Sequence, residues 1–513
     1  MYSRASAPTN PVLNHMATNL ADSDQVARIL LFCACLLEIV LATAIARTHL
    51  PLCDEGFYGV PAYTLSTTGS LQNHVLESAG IKYLRGVDQN FYWMAPLGMV
   101  VQALAFVVFG FSLLIQREIS VLCGLGAILC WYLTLKWLLP RRVAAMSVLI
   151  LSVDFVFLSL CSLGRSDMIS LFLGSVALAG YMSLRDRSLS WALMVASGAS
   201  ALSGMMHPNG GIAAVISLAV LVFSVDRARL RWSHLAVVVA CYGVVGLGWI
   251  LYITKAPDLF AAQFLGNVAN RFAHHRTVTG LFLGEFARYA SAYGLDGAHG
   301  LKATLYVLPA VYLASVAVSF LLKDVREKQG PRILLLMFVG ISVSLIFLEG
   351  SKQGWYLVHL SPIFASFVAI GANRLCQSAR VLPRLTAVLQ VSIVLLGAGR
   401  LCYTARSQHL QRLYQPTVAY LNDHIGSSQL VFARSEFYFG LHCRTCLRDD
   451  PNLGVFSGRR ADFIVIDQDY SAHLASLLQA NAAAYGDVSR LLDTEYREVF
   501  RNDSYQVLQR SKQ

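Results

Sequence analysis

The sequence predicts a polytopic α-helical membrane protein that carries a small α/β domain outside the membrane at its C-terminal end. Of the 513 residues, 56% are hydrophobic and only 14% are charged, whereas soluble domains carry about a quarter charged residues. Apolar runs long enough to span a bilayer as helices recur from residue 26 to residue 402. After residue 403 the apolar residues thin out and charged residues become more frequent.

The apolar runs define the domain organisation and predict about 11–13 transmembrane helices. The polar N-terminal stretch lacks the basic start and the cleavage site of a signal peptide. The predicted units are a disordered cytoplasmic tail at 1–25, a transmembrane domain at 26–402 with outer loops at 47–92 and 255–303, and an extracytoplasmic α/β domain at 403–513. The later runs lie at about 93–115, 118–139, 143–163, 167–184, 190–206, 209–225, 233–254, 304–323, 333–349, 355–376 and 381–402.

Short basic stretches predict the orientation of these helices, because Lys and Arg collect in cytoplasmic loops. The stretches all fall on one side, at 185–187, 226–231, 323–332 and 374–384. They account for much of the net charge of +11, so this charge does not require a nucleic-acid partner. One conflict follows, since three apolar runs separate the first outer loop from Asp167 although both are predicted outside. Either one of the three runs is re-entrant or fused with its neighbour, or a crossing has been missed.

Two adjacent carboxylates, Asp54 and Glu55, follow the first apolar run in the stretch Leu-Cys-Asp-Glu-Gly-Phe-Tyr. A helix of spanning length places them at the outer membrane surface. They are either solvated loop charges or the acidic groups of a site. The residues from Gly56 to Leu71 have mixed helical spacing, which favours a helix lying along the membrane interface.

Two polar breaks occur where later apolar runs reach the outer side. The tetrapeptide Gly-Arg-Ser-Asp puts a cation, Arg165, and a carboxylate, Asp167, at a helix start. Capping of the helix by Ser166 or Asp167 is the structural alternative. The tetrapeptide His-Pro-Asn-Gly makes His207 a candidate, although Pro, Asn and Gly also explain the break as a turn.

Further cations lie in the outer segments nearer the C-terminus. Arg271 and Arg276 flank two histidines in a loop too long to be a mere connection. These arginines suit an anionic group such as a phosphate, or they attract anionic lipid head groups. Lys352 precedes Tyr356 and the pair is followed by Pro, so this lysine either contacts a phosphate or snorkels at the membrane surface. The two adjacent histidines do not support a metal site.

Three other residues have two open interpretations each. Glu38 inside the first apolar run is a proton or ligand site, or a helix-contact residue. Tyr92, beside Trp93 at the end of the first outer loop, is a substrate contact or part of an interfacial aromatic belt. Lys82 in the same loop is a further cation near the membrane.

In this order and on this side of the membrane, the motifs resemble the GT-C superfamily of membrane glycosyltransferases, which use polyprenyl-phosphate-linked sugars. The resemblance rests on Asp-Glu with Tyr58, Arg-x-Asp at Arg165, His-Pro-x-Gly at His207, and Lys-x-x-x-Tyr…Pro at Lys352. It covers roughly residues 27–402. The pattern is most similar to the branch of protein O-mannosyltransferases and lipid A aminoarabinose transferases.

One motif departs from that branch. The aminoarabinose transferases carry Glu-Lys-Pro-Pro-Leu before the second span, whereas this chain has Trp-Met-Ala-Pro-Leu from Trp93. The missing acid and lysine put a bound metal ion in doubt, together with that branch's substrate. No cofactor is therefore assigned, a divalent metal remains possible, and no metal ligands are named.

The resemblance implies a catalytic base and a set of substrate contacts. Asp54 is the implied base that takes the proton of the acceptor hydroxyl, and Glu55 orients it or binds the acceptor. Attack opposite the phosphate inverts the anomeric configuration. The implied cations for the donor phosphate are Arg165, Arg271, Arg276 and Lys352, with Lys82 and Arg85 behind them. The other implied substrate contacts are Tyr58, Lys82, Tyr92, Asp167, His207 and Tyr356.

The segment after residue 403 alternates strand and helix patterns. Residues 429–433 and 462–467 predict strands, 416–424 and 470–484 predict helices, and 497–509 predicts a closing pair of strands. Cys443 and Cys446 are too few for a zinc site, so a local disulfide is the favoured interpretation in an oxidising compartment.

The sequence therefore predicts an inverting glycosyltransferase of a bacterial inner membrane, with its C-terminal domain outside. Its expected partners are a polyprenyl-phosphate-linked sugar donor, an envelope lipid, glycan or protein acceptor, and membrane lipids, with no nucleic acid. A transporter or flippase of lipid-linked sugars is the alternative, although no internal repeat of the kind found in transporters is evident. A GT-C-like scaffold that has lost catalysis is a third possibility.

Overall fold

The computed structural model describes residues 11–273, 277–292, 302–377 and 381–511. The chain forms a helical bundle as far as residue 406, and a small α/β domain follows. The helices of the first half are α1 Pro11–Ala46, α2 Cys53–Thr68, α3 Leu97–Phe109, α4 Leu113–Leu138, α5 Arg141–Leu151, α6 Phe155–Cys161, α7 Ser166–Leu184, α8 Leu189–Met206, α9 Pro208–Val225 and α10 Trp232–Ile253.

The second half of the bundle has shorter pieces between its long helices. Its helices are α11 Pro257–Phe260, α12 Gly266–Phe272, α13 Val278–Ala292, α14 Lys302–Leu321, α15 Lys323–Arg326, α16 Gln329–Leu348, α17 Ser361–Cys376 and α18 Val381–Arg406. The C-terminal domain contributes α19 Gln415–His424, α20 Gln468–Ala480, α21 Ala482–Glu495, β1 Val431–Phe432, β2 Leu447–Arg448, β3 Phe463–Ile466, β4 Tyr496–Arg501 and β5 Gln506–Arg510.

The bundle confirms the predicted multi-pass membrane protein. In the described part of the chain, eight helices are long and apolar enough to cross a membrane, and the pair α5 and α6, bent by 63°, makes a ninth. Helices α14 and α17 lie among them but are shorter or less apolar. This accounts for the difference from the predicted 11–13 spans.

Helix α3 explains why the sequence showed one apolar run too many. Near its start, a Cβ atom added at Gly98 would lie 3.0 Å from the side chain of Ser166, the first residue of α7. In its middle, Gln102 donates a hydrogen bond to the carbonyl of Gly164, 3.2 Å away. Just after its end, Phe111 stacks on Phe439 of the C-terminal domain with the ring centroids 4.9 Å apart. Both ends of α3 therefore lie at the end of the bundle that carries this domain, which we call the domain end. Its 13 residues reach about 20 Å, less than the apolar thickness of a bilayer.

Helix α1 begins earlier than the sequence suggested. The described helix starts at Pro11, inside the stretch predicted to be a disordered tail, and residues 1–10 lie outside the described residues. A proline is well suited to the first turn of a helix, and no other Pro or Gly interrupts the chain up to residue 46. Local helix propensity therefore extends the first helix beyond its apolar part.

The C-terminal domain is a five-stranded sheet in the order β2-β1-β3-β5-β4. Strand β1 pairs in parallel with β2 and β3, whereas β5 is antiparallel to both β3 and β4. The strands predicted at 429–433, 462–467 and 497–509 are confirmed, as are the two predicted helices. The sequence did not predict β2 or α21, because β2 has only two residues and α21 continues an already helical pattern after a single break.

The C-terminal domain packs closely on α2. A Cβ atom added at Gly56 would lie 2.1 Å from the backbone of Ser435, and one at Gly59 would lie 2.6 Å from the ring of Phe439. Only glycine allows helix and domain to approach so closely. The C-terminal domain therefore holds one face of α2, the helix whose first turn contains Asp54 and Glu55.

Candidate active site

Glu55 anchors the start of α2 and lies entirely inside the protein. Arg117 of α4 donates from Nε and Nη2 to the two carboxylate oxygens at 2.7 Å each, and both side chains have 0% exposure. The backbone N–H of Gly164 donates to Oε1 at 2.8 Å. The same guanidinium also binds the carbonyls of the connection between α1 and α2, at Ala46, His49 and Leu50. The structure thus gives Glu55 an anchoring position and no open contact with a substrate.

Asp54 is the carboxylate that faces the open site. Its side chain is 37% exposed and forms an ion pair with Nη1 of Arg165. The Nε of Arg165 donates to Oδ2 of Asp167 at 2.9 Å, and the guanidinium lies over the ring of Trp355. Arg165 is itself the N-cap residue of α7, which has no side-chain cap. Asp167 therefore serves this charged chain and not helix capping, and Arg165 bridges an exposed and a buried carboxylate.

Three buried side chains converge behind this ion pair: Asp167, His207 and His359. Their possible ligand atoms all lie within 4.8 Å of one another. The backbone N of Asn209 lies 3.3 Å from Nδ1 of His207, and Nε2 of the same ring lies 3.9 Å from Oδ1 of Asp167. Burial lowers the pKa of both histidines to about 4, so both are neutral at pH 7. Neutral imidazoles and a carboxylate are ligands suited to zinc and similar ions.

Two atoms of this triad have unused bonding capacity. Among the residues that the structure describes, Oδ1 of Asp167 and Nε2 of His359 are buried and have no hydrogen-bond partner. Buried polar atoms without partners are costly, and a cation bound between them would satisfy both. The triad therefore fits a divalent metal ion, for which the sequence named no ligands.

Arg271, Tyr356 and Tyr58 form the other side of the site. The Nη1 of Arg271 donates to the hydroxyl of Tyr356 at 3.1 Å, and the ring of Tyr356 lies 5.0 Å from that of His207. Tyr58 lies near Tyr356, Asp167 and Arg271, and burial raises the pKa of its phenol. The first turns of α2, the segment after α10 and the segment after α16 therefore contribute side chains to one place.

Lys352 does not join this group in the described structure. Its Nζ donates to Oε1 of Glu285 at 2.8 Å and to the carbonyl of Ile346 at 2.7 Å. The side chain is 3% exposed, and the backbone takes a left-handed conformation with φ of 56°. Lys352 thus binds the last carbonyls of α16, a favourable place for a cation, and its predicted contact with a donor phosphate stays a prediction.

The remaining predicted residues lie elsewhere. Tyr92 is a packing residue, because its hydroxyl donates to the carbonyl of Tyr252 at 2.9 Å and its N–H donates to the side chain of Gln263. Lys82 is exposed on a short helical turn. Arg276 lies outside the described residues, as do the two histidines before it.

Sequence reasoning missed His359 and Arg117. His359 closes the short 3-10 helix Gly354–His359, within the same segment that supplied Tyr356, and a polar residue between apolar ones was its only signal. Arg117 lies in the gap between two predicted apolar runs. A charged residue in such a gap is more often a loop residue, whereas here it is fully buried.

An apolar groove runs along α10 towards the site. It consists of two cavities of about 560 and 390 Å³ that share Val215 and Tyr242. One cavity begins at Trp232, and the other ends at Pro208, directly after His207. Helix α10 has no buried residue in the described structure, so the groove is open to the surface that faces lipid.

Part of the sequence and the overall fold are similar to those of known proteins. The profile of the family described as dolichyl-phosphate-mannose-protein mannosyltransferase matches residues 94–249. The structure is similar to that of ArnT from Cupriavidus metallidurans bound to undecaprenyl phosphate, with a TM-score of 0.55 and 15% identity over 94% of this chain and 97% of that one.

A second similar structure is the oligosaccharyltransferase of Archaeoglobus fulgidus in the apo form, with a TM-score of 0.56 and 12% identity over 95% of this chain and 74% of that one. No curated protein sequence matches the chain significantly. At these identities the likeness shows the fold, and it extends over nearly the whole chain. This multi-pass membrane protein therefore shares its fold with these two membrane proteins, and residues 94–249 resemble the mannosyltransferase family.

Proposed function

We propose that the protein is an inverting glycosyltransferase that moves a sugar from a polyprenyl-phosphate-linked donor to an envelope acceptor. The reaction takes place on the outer face of a bacterial inner membrane, where the C-terminal domain lies. The observation that carries this proposal is the chain of ion pairs from the exposed Asp54 through Arg165 to the buried Asp167. In this proposal the carboxylate of Asp54 accepts a proton, and the cations beside it hold a phosphate.

The donor phosphate is held by Arg271 and Arg165 at the floor of the site. Arg271 is 28% exposed, and among the described residues it pairs with one carboxylate, that of Glu349 at 3.6 Å. A guanidinium is well suited to bind phosphate oxygens in pairs. Charge that develops on the leaving phosphate is stabilised by such fixed cations. The resemblance to a structure that holds undecaprenyl phosphate supports this class of donor.

The isoprenoid chain of the donor occupies the apolar groove along α10. The groove is lined mostly by aliphatic side chains and reaches Pro208, next to His207 of the site. A long apolar chain there stays in contact with lipid while its phosphate reaches the cations. This arrangement explains why the chemistry requires a membrane-embedded enzyme.

Asp54 acts as the base. Its ion pair with Arg165 favours the carboxylate form, and its 37% exposure leaves room for an acceptor hydroxyl. The hydroxyl transfers its proton to the carboxylate as its oxygen bonds to the anomeric carbon. The bond from that carbon to the phosphate breaks on the opposite face, so the configuration inverts. A divalent metal held by Asp167, His207 and His359 would supply positive charge near the phosphate.

Cells lacking the gene provide the test. They are complemented with wild type, with Asp54→Asn, or with Asp258→Asn as a control, since Asp258 is an exposed carboxylate far along the chain. Glycolipids, polysaccharides and glycoproteins of the envelope are then compared by mass spectrometry at matched protein levels. We expect one sugar to be lost on deletion and to return with wild type and Asp258→Asn only. Full restoration by Asp54→Asn would exclude this base and favour a transporter of lipid-linked sugars.

A further inference from the structure

A second cleft, of about 730 Å³, lies between α2 and the C-terminal domain. Asp54 and Tyr63 on α2 differ by nine positions, which turns them to opposite sides of the helix and separates them by about 13 Å along its axis. The cleft is therefore distinct from the candidate active site. Its lining contains no Asp or Glu and consists of Tyr63, Asn422, Ile425, Ser427, Tyr438, Leu441, His442, Cys443, Arg444 and Thr445.

Arg444 gives this cleft a positive charge that no carboxylate balances in the part of the chain that the structure describes. Its guanidinium carbon lies 5.0 Å from the ring centre of Tyr63, 4.9 Å from that of Phe111 and 5.8 Å from that of Tyr438. Its one hydrogen bond in the described structure goes from Nη1 to the hydroxyl of Tyr63 at 3.2 Å. No described carboxylate pairs with it, whereas Arg165 pairs with two carboxylates.

This unpaired charge points to an anionic ligand. Arg444 is half-buried, its Nε is buried without a hydrogen-bond partner among the described residues, and partial removal of a charge from water is unfavourable. The aromatic rings offset only part of that loss. A guanidinium on a rigid aromatic floor is a preorganised donor for phosphate oxygens. Hydroxyl and amide groups for further hydrogen bonds are supplied by Asn422, Ser427 and Thr445.

The disulfide between Cys443 and Cys446 holds the turn that presents Arg444. The bridge closes directly around this residue, and the short helix Arg444–Cys446 follows Cys443. A covalent bridge over so short a stretch restricts the turn more than it stabilises the whole domain. It therefore fixes the position of the guanidinium over the rings.

The cleft also adjoins an exposed apolar surface of α3. Phe111, which lies under Arg444, follows α3 after a single residue, Gly110, and its ring centre is 4.5 Å from that of Tyr63. The last turns of α3 expose more than 60% of several large apolar side chains, namely Leu104, Val107, Val108 and Phe109. A ligand with an anionic head in the cleft can therefore lay an apolar chain along the end of α3.

We propose that this cleft binds the phosphate head group of a membrane lipid, with Arg444 as its charged contact and the end of α3 as the seat of its chain. The site is separate from the donor site and does not depend on the proposed transfer reaction. It places a lipid at the junction of the membrane domain, α2 and the C-terminal domain, where binding favours the packed arrangement of the three.

The test measures binding to the purified full-length protein in an uncharged detergent by thermophoresis. The probes are dihexanoyl phosphatidic acid, dihexanoylglycerol, which lacks the phosphate, and glycerol phosphate, which lacks the chains. The variants are Arg444→Gln and Thr445→Asp, which adds a negative charge at an exposed position beside Arg444 and does not disturb the core. Arg497→Gln, on exposed strand β4, controls for net charge, and Arg271→Gln controls for the donor site.

We expect phosphatidic acid to bind more tightly than either of the other probes. Arg444→Gln and Thr445→Asp should each weaken it at least about tenfold, as the loss of a charged hydrogen bond implies, while Arg497→Gln and Arg271→Gln keep this binding. Reduction of the disulfide should also weaken it. Unchanged affinity in Arg444→Gln and Thr445→Asp overturns the site. If glycerol phosphate binds as tightly as phosphatidic acid, the cleft takes a soluble phosphate, and the assignment of a lipid ligand is refuted. A variant that loses sugar transfer but keeps this binding, or one that loses this binding but keeps sugar transfer, shows that the two proposals stand or fail independently.

Discussion

Replacing Glu55 by Gln separates an anchoring role from a catalytic one. The change keeps the size of the side chain but removes the charge opposite Arg117, and neither side chain is exposed. Breaking a buried ion pair on one side costs about 3–5 kcal/mol. Three backbone carbonyls bound to the same guanidinium offset part of this cost. We therefore expect a loss of about 3 kcal/mol in the free energy of unfolding.

The neighbouring Glu118→Gln provides a matched control. Glu118 has a 31% exposed side chain that lies 3.8 Å from an exposed Arg47, and such surface pairs contribute less than about 1 kcal/mol. Tryptophan fluorescence of the purified proteins in detergent reports the apparent unfolding temperature. It should fall clearly for Glu55→Gln and stay near the wild-type value for Glu118→Gln.

Transfer activity per folded molecule decides between the two roles. If Glu55 is an anchor, Glu55→Gln retains substantial activity at a temperature where it remains folded, because Asp54 is still present. The reasoning is refuted if Glu55→Gln unfolds at the wild-type temperature and yet loses transfer as completely as Asp54→Asn. That result would restore Glu55 as a group that acts on the substrate.

Three further outcomes follow from the structure. His359→Ala should lose most of the activity, and a chelator should no longer reduce what remains. Mass spectrometry of the purified proteins should find less bound metal in His359→Ala than in wild type. Lys352→Met should lower the unfolding temperature, since it leaves Glu285 without its lysine. The KM for the donor, from an assay of initial rates, tests the predicted phosphate contact, because it rises only if Lys352 also binds the donor. Burial raises the pKa of Asp467 to about 6, so the stability that protonation gives the folded state is lost as the pH rises from about 4 through 6. Asp467→Asn, which preserves the N-cap bond to Tyr470, should flatten that dependence in thermal unfolding between pH 4 and 7.

The elements of this protein could be predicted because they depend on local patterns. Spanning length and apolar composition located the long helices, and short runs of β-branched and aromatic residues located strands β1 and β3. The role of α3 could not be predicted in this way. Its composition is that of a membrane span, and only the contacts of Gly98 with Ser166 and of Phe111 with Phe439 show that both of its ends lie at the domain end.

The site was predictable where one short motif supplied each group. Arg165 and Asp167 are two residues apart, and His207 and Tyr356 each begin or follow a visible break in an apolar run. Lys352 lies beside Tyr356 in the sequence but pairs with Glu285, which is 67 positions away. A sequence pattern shows where a charged residue lies in the chain, but it does not show which residue pairs with it in the fold.

The pair Asp54 and Glu55 shows this limit most clearly. Neighbours on a helix point about 100° apart, so only one of them can face a given partner. Two arginines compete for them: Arg117 in α4, which is buried, and Arg165 at the start of α7, which borders the open site. Glu55 pairs with the first and is removed from solvent, and Asp54 pairs with the second and keeps its exposure. The two carboxylates are equivalent in the sequence, and the packing of α2 between α4 and the C-terminal domain assigns them different roles.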